Sequence, residues 1–321
     1  MGVTGLICVD MHCDSVSEAY RTGRSLAKPC VNGHADLPRL RLAGIKLQFF
    51  ALFPDRIYHP GRTLYQVLRL LDYATEAFRE DAGTIVIRTR RDLERCLATE
   101  ALGAVLTVEG GEPLEGEIRI LRTLYRLGVR GLGLTWNNRN ELADGVAEGQ
   151  TGGGLTRFGR QVLLEMNRLG MFIDVSHLSE AGFWDVIELC SAPVIASHSN
   201  CSAVWNHPRN LTDRQIKAIA ELKGVVGVNL IPQFVGPPGA GHSALIEHID
   251  HICSLVGDEY VGFGSDFDGA KDLICGVNDV TDFPDLVAGL RNRGYSEESV
   301  ARICGRNCLR VLEAVLPESE V

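Results

Sequence analysis

No two cysteines stand at Cys-x-x-Cys spacing, no apolar stretch is long enough to span a bilayer, and no run of Lys and Arg stands out along the 321 residues. The first absence argues against a zinc knuckle. The second argues against an integral membrane protein, and the third against a nucleic-acid partner. Phosphate-cradling loops are missing too. No Gly-x-Gly-x-x-Gly follows a strand-like segment with a ribose-binding acid downstream, and Gly152-Gly153-Gly154 is not followed by a Walker lysine. The N-terminal stretch MGVTGLICVDMHCD has no basic region and no apolar core of a secretory leader. Gly2 lacks the Ser or Thr that myristoylation requires. The expectation is a soluble, cytoplasmic protein.

What is present is ordinary for a globular chain. The sequence is 45% hydrophobic and 23% charged, enough to bury a large core, and the net charge of −9 is spread along the chain. The ten cysteines include Cys8 in a strand-like run and Cys190, Cys253, Cys304 and Cys308 in helix-like ones. They read as reduced, mostly buried thiols. No Pro/Ser-rich break divides residues 1–321, so one domain is expected.

Eight short apolar, β-rich segments recur: Leu6–His12, Ile45–Phe53, Ala104–Glu109, Val129–Trp136, Met171–His177, Pro193–His198, Val225–Ile231 and Tyr260–Asp266. Amphipathic stretches lie between most of them. Ser179, Thr212 and Ser296 stand where helix N-caps are expected. Eight strand–helix units at this length predict an α/β fold, a closed (β/α)8 TIM-type barrel.

The polar residues at the ends of these segments carry the chemistry. His12 and Asp14 close the first, Glu109 the third, His177 the fifth, His198 the sixth and Asp266 the eighth. In a (β/α)8 barrel such ends converge on the catalytic face. Singly, each has an ordinary reading: a helix cap, a turn hydrogen bond, a solvated acid. Together, three histidines and three carboxylates suit two divalent metal ions. His12 and Asp14 would hold one and His177 and His198 the other, with Glu109 bridging. Such a pair acidifies a shared water, and Asp266 is placed to pass a proton to a leaving amine. His34, His59, His207, His242, His248 and His251 lack this placement and read as surface or packing residues.

The chain resembles the renal, or membrane, dipeptidase family of zinc peptidases. The resemblance rests on HADLPRLRLAGIKLQFFALF (34–53), LTVEGGEPL (106–114), GVRGLGLTWNNRNELADG (128–145), FIDVSHLSEAGFWDVIE (172–188), PVIASHSNCSAVWNHPRNLTD (193–213) and HIDHICSLVGDEYVGFGSDFDG (248–269). It implies a barrel with two Zn2+ that hydrolyses dipeptides, often with a D-residue at the C-terminal position. His12, Asp14, Glu109, His177 and His198 match the family's metal ligands, and Asp266 its acid–base aspartate. Arg209, in HPRN, matches the arginine that binds the substrate carboxylate. Trp136 stands where mammalian members carry a histidine that contacts substrate and steadies the oxyanion. Trp136, Asn137 or Asn138 would have to take that part, or a zinc ion alone. The alternatives are a hydrolase of N-acyl amino acids or another small amide, and a non-catalytic metal-binding barrel. A homodimer is consistent with such barrels.

Overall fold

The computed structural model describes residues 5–55 and 61–319. Among the described residues, nine strands form one all-parallel sheet: β1 (Cys8–Cys13), β2 (Ile45–Leu52), β3 (Thr84–Val86), β4 (Leu102–Glu109), β5 (Val129–Gly133), β6 (Phe172–Asp174), β7 (Ile195–Ala196), β8 (Val225–Val228) and β9 (Val261–Phe263). β1 pairs with both β2 and β9, and β2 pairs directly with β4. The sheet thereby closes into an eight-stranded barrel, as the strand–helix alternation predicts. β3 is the addition. It lies outside the ring and pairs only with the start of β4, through Thr84–Val86 against Leu102–Ala104. Three half-buried residues carry too little apolar pattern to announce a strand.

Alternation with period two sorts the side chains. Val9, Met11, Leu47, Phe49, Val105, Phe172, Ile195 and Val225 form the interior cluster, which also takes Cys308, Leu309 and Leu312 from the C-terminal helix. Cys8, Phe50, Leu52, Ala104, Leu106, Ile173 and Val226 face the outer helices. Interior layers mix large and small residues. A Cβ on Gly227 or Gly262 would lie 2.9 or 3.1 Å from the Met11 methyl, so these glycines leave the space that Met11 fills. Burying one such side chain stabilises by roughly 1.5–3 kcal/mol.

The helix starts follow the expected caps. Ser179 accepts from Gly182 N, Thr212 forms a reciprocal box with Gln215, and Ser296 accepts from Ser299 N. The last helical stretch widens into a π-turn at Arg302–Arg306. There Gly305 packs so close to β1 that a Cβ would lie 2.2 Å from the Ile7 carbonyl oxygen. Among the described residues no helix is long and apolar enough to cross a membrane.

Candidate active site

The C-terminal mouth of the barrel gathers the polar residues, but not by simple strand periodicity. Val9 and Met11 face the interior, so strict alternation would turn His12 outward. The register between β1 and β2 slips between Asp10 and Cys13, where Asp10 pairs with Gln48 and Cys13 with Phe50. That bulge returns His12 to the interior. Asp14 is not on the strand; it is the N-cap residue of the helix Ser15–Thr22. Glu109 is the last residue of β4, whereas His177, His198 and Asp266 lie two or three residues beyond their strands. His177 and Asp266 adopt left-handed backbone, at φ 69° and 63°. Such conformations cost roughly 1–3 kcal/mol and persist only where neighbours impose them. The neighbours are identifiable. Val146 N donates to the His177 carbonyl at 2.7 Å, and Asp266 N donates to the His12 carbonyl at 3.1 Å. After Asp266, the Asp268 carboxylate is tied down by Ser15, Arg24 and the His34 backbone. Gly269 then crosses directly over the site. A Cβ there would lie 2.0 Å from Asp266 Oδ1 and 2.6 Å from Asp14 Oδ2.

Glu109 sits at the centre. Its Oε1 lies 2.9 Å from His177 Nε2 and 3.6 Å from His198 Nε2, while Oε2 lies 3.6 Å from His12 Nε2. His12 Nε2 is also 3.5 Å from Asp14 Oδ2 and 3.9 Å from Asp266 Oδ1. Two sets of potential metal-ligating atoms follow, His12–Asp14–Glu109 and Glu109–His177–His198, each within 4.8 Å of one another. His12 Nε2 and Asp14 Oδ1 are buried with no hydrogen-bond partner. A buried polar atom left unpaired is costly; a cation between these atoms satisfies both.

The electrostatics point the same way. Burial, with Asp14 and Asp266 close by, pushes the Glu109 carboxyl well above its usual range despite His12 and Arg209. Burial would depress His12, but Glu109, Asp14 and Asp266 outweigh it and hold it up at about 10. Burial also raises Asp266 from 3.8 to about 6. His177 and His198 are pushed far down by burial and by neighbouring cations, so they are neutral, as metal ligands must be. Their outward nitrogens are held. His177 Nδ1 donates to Asn137 Oδ1 at 2.7 Å, and His198 Nδ1 meets Ser197 Oγ at 2.7 Å. Both rings turn Nε2 inward, where the two Nε2 atoms lie 2.8 Å apart. The residues fit divalent metal.

A stability prediction follows from these shifts. Without metal, folded Asp266 holds its proton to higher pH than the unfolded chain, so stability falls as pH rises from 3.8 through about 6. His12 contributes stability below 6.5 that is lost as pH rises towards about 10. Both slopes have the same sign. His177 and His198 act oppositely below 6.5, where the unfolded chain binds protons that the buried rings do not. The melting temperature of chelator-treated protein should therefore fall between about pH 7 and about pH 9, and added zinc should flatten that slope. Thermal melts with and without chelator measure it; a metal-free midpoint that rises with pH over that range contradicts the charge arrangement.

A cavity of about 480 Å³ opens over the site, lined by Asp14, Phe53, Glu109, Trp136, Asn137, His177, Phe234 and Asp266 among others. Trp136 forms its wall. Its ring lies 5.6 Å from Phe53 and 5.9 Å from His177. Asn137 lines the cavity too, but its amide oxygen is engaged with His177. Asn138 lines an adjoining cavity of about 500 Å³. Arg209 is only 6% exposed, and its guanidinium donates to the His198 carbonyl at 3.3 Å while Nε has no partner among the described residues. Asp266 Oδ2 accepts from Asn229 Nδ2 at 2.9 Å.

Sequence reasoning overlooked Asn229, Asp174, Ser197 and Asp10. Asp10 is fully buried and accepts from Ser265 N, Ser265 Oγ and Gln48 Nε2, each at 2.7 Å, fixing the residue before Asp266. Among the other histidines, His248 accepts from Cys201 N and donates to the Val235 carbonyl, a packing role. His34 and His207 hold loops beside the site through Asp268 N and Arg209 N. His59 lies outside the described residues.

The sequence profile of the membrane dipeptidase family, peptidase family M19, matches residues 3–320. The chain belongs to that family. Its activity is metal-dependent hydrolysis of dipeptides. The chain is 39% identical over 267 residues to an uncharacterized protein in the pqqA 5' region of Klebsiella pneumoniae, covering 80% of this chain and 97% of that one. It is 33% identical over 296 residues to dipeptidase verJ of Clonostachys rogersoniana, covering 88% and 76%. A metallopeptidase from Rhodobacter sphaeroides, crystallised with a phosphinate mimic of the dipeptide L-Ala-D-Ala, superposes with a TM-score of 0.90 at 31% identity, over 97% of this chain and 99% of that one.

Proposed function

We propose that this dipeptidase works with two Zn2+, His12 and Asp14 holding one, His177 and His198 the other, and Glu109 both. The observation that carries this is the division of Glu109: one oxygen faces the two downstream histidines and the other faces His12. Ligand type favours zinc, since three imidazoles and two carboxylates form a borderline donor set. When bound, the ions would supply Lewis acidity and an acidified water. The chain's own residues do the rest. Arg209 pairs with the substrate's terminal carboxylate, which selects dipeptides over longer chains. Trp136 and Phe53 close one side of the cleft and exclude water. Asp266, held by Asn229 and shifted to about 6, passes a proton to the departing amine near neutral pH.

The L-Ala-D-Ala mimic bound by the Rhodobacter protein supports a preference for a D-residue at the C-terminal position. All ten cysteines are unpaired thiols, which supports a reducing, cytoplasmic setting. The test is an assay of zinc-reconstituted protein on L,L- and L,D-dipeptides alongside N-acyl amino acids. Hydrolysis of L,D-dipeptides well above the N-acyl compounds is expected. Turnover confined to N-acyl amino acids would replace this reading with the small-amide one.

A further inference from the structure

Asp174 is the last residue of β6, and its neighbours Ile173 and Phe172 belong to the outer and inner clusters respectively. Alternation therefore turns Asp174 inward, beneath the histidines. Its Oδ1 accepts from the backbone of Ser176 and Ser197, each at 3.0 Å, and its Oδ2 accepts from the Ser197 hydroxyl. The same hydroxyl oxygen lies 2.7 Å from His198 Nδ1 and 3.4 Å from His12 Nδ1. His12, Asp174 and His198 place ligand-capable atoms within 4.8 Å of one another. Both imidazoles, however, turn Nε2 towards Glu109, so the Asp174 side is the back of the site.

We propose that Asp174, acting through Ser197, is a positioning residue that sets the tautomer of His198 and steadies His12, and thereby serves both halves of the metal site. A serine hydroxyl has one proton. Asp174, an acceptor-only carboxylate, takes it. The Ser197 oxygen can then only accept from the imidazoles, so the His198 proton resides on Nδ1. Nε2 is left bare, the form a metal ligand needs. One carboxylate thus orients histidines assigned to different ions. The proposal rests on the metal-binding reading above.

The decisive comparison is Asp174→Asn against Asp174→Ala. Asparagine keeps the shape, and its carbonyl oxygen retains both backbone donors. Its amide then donates to the Ser197 oxygen. That turns the serine proton onto His198 Nδ1 and drives the imidazole proton to Nε2, where it blocks ligation. Alanine leaves Ser197 free to accept. A positioning role makes the isosteric Asn variant the poorer metal binder; a merely structural role makes Ala the poorer one.

Zinc affinity by chelator competition, the visible spectrum of the Co2+-substituted protein, and thermal melts of the metal-free forms give the readouts. Asp174→Asn should weaken zinc by about 10–100-fold at one site and perturb the cobalt bands, with Asp174→Ala less affected. Adding Ser197→Ala to the Asn variant should restore part of the affinity, because no misdirected hydroxyl remains. An Asn variant that binds zinc as tightly as the wild type, or more tightly than the Ala variant, overturns the proposal. A wild-type protein that binds no zinc would overturn the metal-binding reading as well.

Discussion

Glu109→Gln should abolish turnover, with a loss of about 10³-fold or more, and should leave the protein with less bound metal. The magnitude follows from what the carboxylate does. Metal-assisted stabilisation of transition-state charge is worth several kcal/mol, and each 1.36 kcal/mol is tenfold in rate. Glutamine keeps the length of the side chain but replaces one acceptor oxygen by an NH2 group. Whichever way the amide turns, its N–H faces either His177 and His198 or His12, because Glu109 presents one oxygen to each set. A donor cannot ligate a cation, so one half of the site is lost. The substitution also removes a negative charge that burial strains. The metal-free Gln variant should therefore be no less stable than the metal-free parent, even as it fails to bind. Metal content by elemental analysis, kcat on a dipeptide and a thermal melt separate these effects. A variant with unchanged rate and full metal content would show that Glu109 does not bridge.

The grouping of this site was largely legible because each member closes an apolar run, and strand ends of a parallel barrel meet at one mouth. His12, Glu109, His177, His198 and Asp266 come together for that reason. The local means were not legible. His12 and Asp14 close one apolar run, but the chain brings them together with a bulge and a helix cap. Inserting one residue into a ladder has no compositional mark. The left-handed turns at His177 and Asp266 are nearly as silent: His and Asp are enriched at positive φ, but too weakly to mark a single position. Asp174 and Ser197 were hidden in IDVSH and IASHS, where a polar residue near a strand end passes for ordinary turn chemistry. One signal did exist. In β6 the inward position after Phe172 is an aspartate, and an acid facing a barrel interior has to be explained. β3 and the short helices Leu37–Leu42 and Arg90–Leu97 escaped because three to eight residues do not establish a period.

Arg209→Met should lower kcat/KM for dipeptides by roughly 30-fold to several thousand-fold, the range set by about 2–5 kcal/mol for truncating one partner of a buried charge pair. Methionine preserves much of the volume beside Phe234, which the guanidinium carbon approaches to 5.6 Å from the ring centre. The loss is then electrostatic rather than one of packing. A difficulty is that the Arg209 cation also acts on Glu109 and Asp266, whose carboxyls it pulls downward. Its removal perturbs the metal site as well as the substrate. The two contributions separate when each protein is assayed on a dipeptide and on the same dipeptide as its C-terminal amide. The amide has no carboxylate to bind, so it reports only the effect on the site. If Arg209 holds the substrate carboxylate, the wild type should prefer the acid strongly and the Met variant should lose most of that preference. Equal losses on acid and amide would assign Arg209 to the metal site alone. Arg209→Lys sharpens the comparison. It restores the charge but not the planar fork, so it should recover the amide rate more fully than the acid rate.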